Sequence, residues 1–343
     1  MQIAAHNIGA TEAELGADYL TKLPASLAAA LISSNVKDDR GESFVATHRI
    51  VTRGLRRVAI CGVLSPSYER TGLRIEEPRD AILRLLPQLK GKYDVLLVLA
   101  YLPEQELEDF VTRLPEADLV IGGPTRQSIV PRKTGPTVWG ATTNKGKFLV
   151  HLECPVRTGS TWEGKIVELG PEILDDSIQL ANLQKFREEL GKRDFSADQT
   201  SFSSPLPANV PKDLRVAGTE TCRECHQNDC QKWGDSRHAN AWQTLLDKQS
   251  HVDPYCQQCH TTGYGLPGGF NSLASGKDRI NVGCESCHGP SQAHAMRPQT
   301  KTLYDARDRC SHCHDHENSP EFDYAKYWDS IAHGTRSPAT GEK

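Results

Sequence analysis

The chain has 343 residues, a formal net charge of -4 and a pI near 6.4. That length accommodates two ordinary domains, each with a core of its own, while the charge balance excludes the basic field that draws proteins onto nucleic acid. No run of about 18 apolar residues occurs, so the sequence offers no membrane span.

In chain order, Thr11 to Leu23 reads as a helix, and Ser43 to Ile50 and Arg57 to Leu64 as strands around the Arg53-Gly54 turn. Glu77 to Leu89 reads as a helix with Pro78 in its first turn. Asp94 to Tyr101 is a continuous apolar run of the kind found in strands covered on both faces. Glu104 to Leu114 is helical, Leu119 to Gly123 a strand, and Thr137 to Thr142 and Lys147 to Cys154 further strands. Such alternation predicts an α/β layered domain over residues 1–192, closing with a helix from Ser177 to Leu190. Residues 193–215, rich in Ser, Pro, Ala and Asp, read as a linker.

Residues 216–343 have few periodic apolar stretches and an insistent Cys/His rhythm. Of eleven cysteines, only Cys61 and Cys154 precede this region; both fall in predicted strands as core thiols. The sequences Cys222-Arg-Glu-Cys225-His226, Cys256-Gln-Gln-Cys259-His260, Cys284-Glu-Ser-Cys287-His288 and Cys310-Ser-His-Cys313-His314 are four copies of C-x-x-C-H, the haem-attachment pattern. Cysteines three apart project from one face of a helical turn, where both thiols reach porphyrin vinyl groups, and the adjacent histidine reaches the iron.

A single copy reads equally well as part of a zinc site or as a redox disulfide. Four copies, each with His directly after the second Cys, favour four c-type haems, whose apolar bulk would complete a mostly α, loop-rich domain. Met296 is the only methionine in this region, so methionine can fill at most one sixth iron position and histidine the others. The candidates are His238, His251, His294, His312, His316 and His333. Cys230 has no haem partner and reads as a buried or free thiol.

From Thr221 to Gly334 the residues resemble the tetrahaem cytochrome c-554 family. The likeness extends to Trp233-Gly-Asp-Ser-Arg-His238-Ala239, Thr261-Thr-Gly263 with Gly268-Gly-Phe270, Val282 to Pro290 with His294, and Trp328 with His333. The resemblance implies distal roles for His238, His294 and His333. It pairs His238 with the His288 haem, His294 with the His314 haem and His333 with the His226 haem. The His260 haem is then open, or completed by His251, His316 or a neighbouring chain.

Asn7 to Leu20, Ser34-Asn35, Gly62 to Pro66 and Ala117 to Gly123 resemble the 5'-nucleotidase-like branch of the calcineurin-like metallophosphatases. That family holds two metals with Asp, Asn and His. Its Asn-His is Asn7-Ile8 here, its Ser-His is Ala100-Tyr101, and its Gly-Gly-His-x-His is Gly122-Gly123-Pro124-Thr125-Arg126. All three motifs have lost their histidines, so the expectation is an N-terminally truncated, inactive scaffold or docking domain.

The expected function is single-electron transfer between redox partner proteins, with room for homo-oligomers. Alternatives are a redox enzyme acting on a small nitrogen or sulfur species at an open haem and, less favoured, a metal-dependent phosphoesterase. Attachment of c-type haem implies a periplasmic or otherwise extracytoplasmic location. The start, Met1 to His6, lacks the features of a secretory signal, which the truncation would explain.

Overall fold

The computed structural model describes residues 3–143, 146–154, 161–203, 214–315, 318–319 and 321–334. The chain divides into two compact units, Met1–Leu174 and Asp175–Lys343.

The first unit runs β1 (His6–Asn7), α1 (Ala10–Leu20), α2 (Ala25–Ala28), β2 (Leu31–Ile32), β3 (Val36–Asp38), β4 (His48–Arg53), β5 (Arg56–Leu64) and β6 (Leu73–Ile75). It continues with α3 (Pro78–Leu89), β7 (Val95–Tyr101), α4 (Glu104–Arg113), β8 (Leu119–Gly123), β9 (Ile129–Thr134), β10 (Thr137–Ala141), β11 (Phe148–Glu153) and β12 (Glu163–Glu168). Six strands form one sheet in the order β4-β5-β7-β8-β10-β9. Its four central strands are parallel and its two edges antiparallel. The apolar run of β7 lies at its centre, as its unbroken hydrophobicity requires.

The helices α3 and α4 turn Ile82, Leu85, Leu89, Leu107, Phe110 and Val111 into a core shared with Val63, Leu96, Val98, Val120 and Trp139. Each large side chain buried this way contributes about 1.5–3 kcal/mol of transfer free energy. Val95, Leu119 and Val138 form a smaller cluster with Leu152 and Trp162. The unit is thus the layered α/β domain that the alternating elements predict.

Local differences have identifiable causes. Glycine at position 16, with φ 76° and ψ 166°, interrupts α1, which ends at Leu20. The strand expected from Ser43 begins only at His48, where pairing with Cys61 of β5 starts. The unforeseen β9 contains Pro131, which cannot donate to a ladder and is tolerated because β9 is an edge.

Asn35 is fully buried. Its amide donates to the carbonyls of Leu64 at 2.7 Å and Glu76 at 2.8 Å, and its oxygen accepts from Leu64 N–H at 3.0 Å. Asn35→Ala orphans these backbone groups, so urea unfolding should show a loss of about 2–4 kcal/mol.

The second unit begins with α5 (Ser177–Arg193), capped by Asp176, which accepts from the amides of Ile178 and Gln179. The expected boundary at residues 193–215 therefore shifts: α5 and the segment after it belong to the second unit. Asp194 accepts from the amides of Leu273 and Ala274, and Ala197 is buried with Trp242, Leu245, Tyr264 and Phe270. Polar composition concealed these anchors. Residues 204–213 of the expected linker lie outside the described residues.

The remaining helices are short: α6 (Thr219–Arg223), α7 (Gln227–Gly234), α8 (Ala241–Asp247), α9 (Pro254–His260), α10 (Cys284–His288), α11 (Gln292–Met296) and α12 (Tyr324–Ile331). Among the described residues, the apolar cluster of this unit holds five buried residues, against eighteen in the main core of the first. Protein side chains alone build little interior there.

Candidate haem-binding site

Each C-x-x-C-H motif folds as a helical turn. The amide of His226 bonds to the Cys222 carbonyl at 2.9 Å and that of His314 to the Cys310 carbonyl at 2.8 Å. The motif of His260 closes α9, and that of His288 forms α10. No disulfide joins the motif cysteines. Among the described residues no group of three or more His, Cys, Asp or Glu side chains converges as metal ligands, as a zinc site would require.

The histidines meet in pairs across the unit. Ring centres of His226 and His294 are 6.1 Å apart, those of His238 and His314 6.1 Å, and those of His288 and His333 5.9 Å. Two imidazoles on opposite sides of one metal ion have ring centres about 6 Å apart, from about 2 Å between metal and each nitrogen plus about 1 Å from nitrogen to ring centre. The donor set therefore fits iron held between two imidazoles at three places. His260 belongs to no such pair among the described residues.

These facing pairs differ from the ones implied by the family resemblance. His238 meets His314 rather than His288, His294 meets His226 rather than His314, and His333 meets His288 rather than His226. The local fold accounts for this proximity. His238 sits in a short turn whose carbonyl accepts from Val282 N–H, His294 lies on α11, and His333 follows α12.

Five of these seven rings are tethered through Nδ1. His226 donates to the Asp229 carboxylate at 3.3 Å and His260 to the Ala241 carbonyl at 2.7 Å, while His314 Nδ1 shares a hydrogen bond with Ser319 Oγ at 2.9 Å. His294 donates to the Thr300 carbonyl at 2.7 Å and His333 to that of Ile331 at 2.9 Å. With Nδ1 donating, Nε2 is left as the metal-binding nitrogen, the arrangement usual for ligating histidines. Burial also lowers the pKa of His238, His288 and His314, favouring the neutral form that binds metal.

His251 packs edge-on against Trp242, with its Nδ1 buried and unpaired. Nε2 of His312 is hydrogen-bonded by Arg309 at 2.9 Å, Met296 is 74% exposed, and His316 lies outside the described residues.

A cavity of about 600 Å³ opens among Cys222, His226, Cys284, His288, His294 and His333, with Trp233 and Trp328 on its walls. The motif thiols adjoin. Cys222 and Cys284 share a hydrogen bond that draws Cys284 down to about 6 and pushes Cys222 up. Cys259 and Cys313 behave likewise, with Cys259 lowered and Cys313 raised. Burial pushes the Cys287 thiol up to about 11, with Cys310 near enough to add to it. Cys230, 2% exposed, lies beside Cys284, and its thiol is raised by burial.

Two carboxylates carry structure that residue type alone did not reveal. Glu285, between the two cysteines of its motif, is 2% exposed. It accepts from the amides of Ala217 at 2.8 Å, Gly218 at 2.6 Å and Ser291 at 2.7 Å. Asp229, at the third position after Cys225-His226, would have been legible as a possible imidazole partner from its i, i+3 spacing.

At the first unit's metallophosphatase-like positions, Ile8 is fully buried in a cluster that includes Leu20, Leu64 and Tyr101. The Asn7 amide is spent on the carbonyls of Val63 and Leu99. Tyr101 stands edge-on to Tyr68 at 5.4 Å, and Arg126 is exposed. Cys61 is buried in β5, its thiol pushed up to about 11 by burial. Cys154 is half-buried rather than core, and its Sγ accepts from Arg56 at 3.4 Å.

The second unit thus presents the donor set of a c-type cytochrome. Residues 221–289 match the family model described as cytochrome c554 and c-prime, which implies covalently bound haem c with iron. Cytochrome c-554 of Nitrosomonas europaea is 28% identical over 155 residues, covering 35% of this chain. The chain spans 66% of that protein's length, just under two thirds.

Solved structures similar to the chain include the sulfate thiohydrolase SoxB of Thermus thermophilus, at TM-score 0.44 and 17% identity over 55% of this chain and 37% of that one. A 5'-nucleotidase precursor, also of Thermus thermophilus, gives TM-score 0.45 and 19% identity over 54% and 43%. The calcineurin-like phosphoesterase YfkN of Bacillus subtilis gives 0.43 and 16% over 54% and 70%. No helix among the described residues is long and apolar enough to cross a membrane.

Proposed function

We propose that the second unit holds four haems, one on each C-x-x-C-H motif, and passes single electrons between redox partner proteins outside the cytoplasm. When bound, the irons supply one-electron oxidation and reduction. The observation that carries this reading is the set of three facing histidine pairs, most of their rings fixed through Nδ1. Paired ligation by His226 with His294, His288 with His333, and His314 with His238 leaves no open position and suits outer-sphere transfer.

The thiol contacts order the attachment sites. Cys222 adjoins Cys284, Cys287 lies near Cys310, and Cys313 adjoins Cys259. The sites therefore run first, third, fourth, second, unlike their sequence order. The first unit serves this reading as a docking or orienting domain.

Intact-mass analysis of protein matured in a competent host is expected to show four porphyrin additions, and C256A/C259A three. Absence of porphyrin, or zinc in its place, refutes the reading.

A second reading rests on His260, whose Nδ1 bonds to the Ala241 carbonyl and whose ring belongs to none of the facing histidine pairs among the described residues. An iron held there would keep one side open and could turn over a small nitrogen or sulfur species. A high-spin ferric EPR signal that shifts on adding nitrite or hydroxylamine supports it; an unchanged signal removes it.

A further inference from the structure

The proximal histidines differ in what their Nδ1 meets. His260 donates to a backbone carbonyl and His314 shares a hydrogen bond with a hydroxyl, both neutral partners. His226 alone among these three donates to a carboxylate, Asp229 Oδ2, at 3.3 Å. Asp229 occupies the first turn of α7, the helix that begins immediately after His226, so the short link fixes ring and carboxylate together.

A hydrogen bond from imidazole to an anion adds electron density to the other ring nitrogen and makes it a stronger donor. A stronger donor stabilises ferric over ferrous iron, and hydrogen bonding behind the ligand is one of the levers that set potential. Resting on the four-haem reading, we propose that Asp229 is a positioning residue that holds down the reduction potential of the iron bound by His226. The asymmetry would make that end of the row the weaker electron acceptor. Asp229 also lies close enough to His288 to act on it electrostatically, so a smaller effect is expected at the neighbouring iron.

An acidic residue in the first turn of a helix is favourable in itself. A role confined to helix stability would not move a potential, and this separates the two accounts.

The test is a spectroelectrochemical titration of the full chain, with four haems first verified by intact mass. Wild type is compared with D229N, D229E and E224Q. Glu224 is an exposed acid in the same motif, and removing its charge controls for long-range electrostatics. In D229N one midpoint should rise clearly and a second slightly, with the remaining two unchanged. D229E should return the first toward wild type, and E224Q should shift it less than D229N does.

The proposal is overturned by unchanged midpoints in D229N, by a uniform rise of all four, or by an E224Q shift equal to that of D229N. A D229N protein that loads only three haems also counts against it, since a role exerted through the ring leaves attachment at Cys222 and Cys225 intact. Wild type without haem would instead refute the underlying reading.

Discussion

Glu285→Ala is expected to destabilise the second unit by about 3–5 kcal/mol, the range for uncompensated loss of one partner in a buried charged network. Three backbone amides, those of Ala217, Gly218 and Ser291, converge on this one carboxylate at 2.6–2.8 Å. Hydrogen bonds to a charged acceptor contribute about 1.5–3 kcal/mol each, and removing the acceptor leaves two buried donors and one part-buried donor without a partner. Glutamine does not restore the site, because its NH₂ faces donors where only oxygen can serve. In a unit of this size the loss corresponds to a fall in melting temperature of about 10 °C. Thermal unfolding followed by far-UV circular dichroism checks this; a fall of only about 1–2 °C would mean that the amides find other acceptors.

His294→Ala is expected to open one iron and leave the other paired sites six-coordinate, seen as loss of one low-spin ferric EPR signal and gain of a high-spin one. The ring pairs assign that iron to His226, whereas the family resemblance assigned it to His314. The background C310A/C313A, which removes attachment at the fourth motif, separates the two. If His226 is the partner, His294→Ala still converts one iron to high spin in that background. If His314 is the partner, the substitution adds nothing there.

The attachment motifs were legible from sequence because covalent chemistry fixes them locally: two thiols and an imidazole must leave one helical turn. His238, His294 and His333 were singled out through their neighbours, and each faces a motif histidine, but which one each faces was not legible. Each partner arrives from a segment far away in the chain, and nothing periodic records which turns of α11 and α12 come to face which motif. Glu285 was hidden for the opposite reason. A carboxylate inside a polar motif reads as a solvated side chain until the approach of Ala217 and Gly218 shows what it holds.

In the first unit, the apolar run at Val95–Tyr101 and the amphipathic α3 and α4 were plain. Two-residue strands such as β1 and β2 are not, since they exist only through long-range pairing. The early unit boundary escaped because Asp194 and Ala197, unremarkable by type, are the residues that anchor a polar stretch to the second core.

The contact between Cys222 and Cys284 bears on how such a chain is made. Two neighbouring sulfurs, with Cys230 beside them, are one oxidation away from a crosslink whenever porphyrin is absent and the surroundings are oxidising. The folded shape would then lock out the group it needs. On the four-haem reading, biogenesis runs in the other order, with each thiol claimed while the polypeptide is still open and collapse following afterwards.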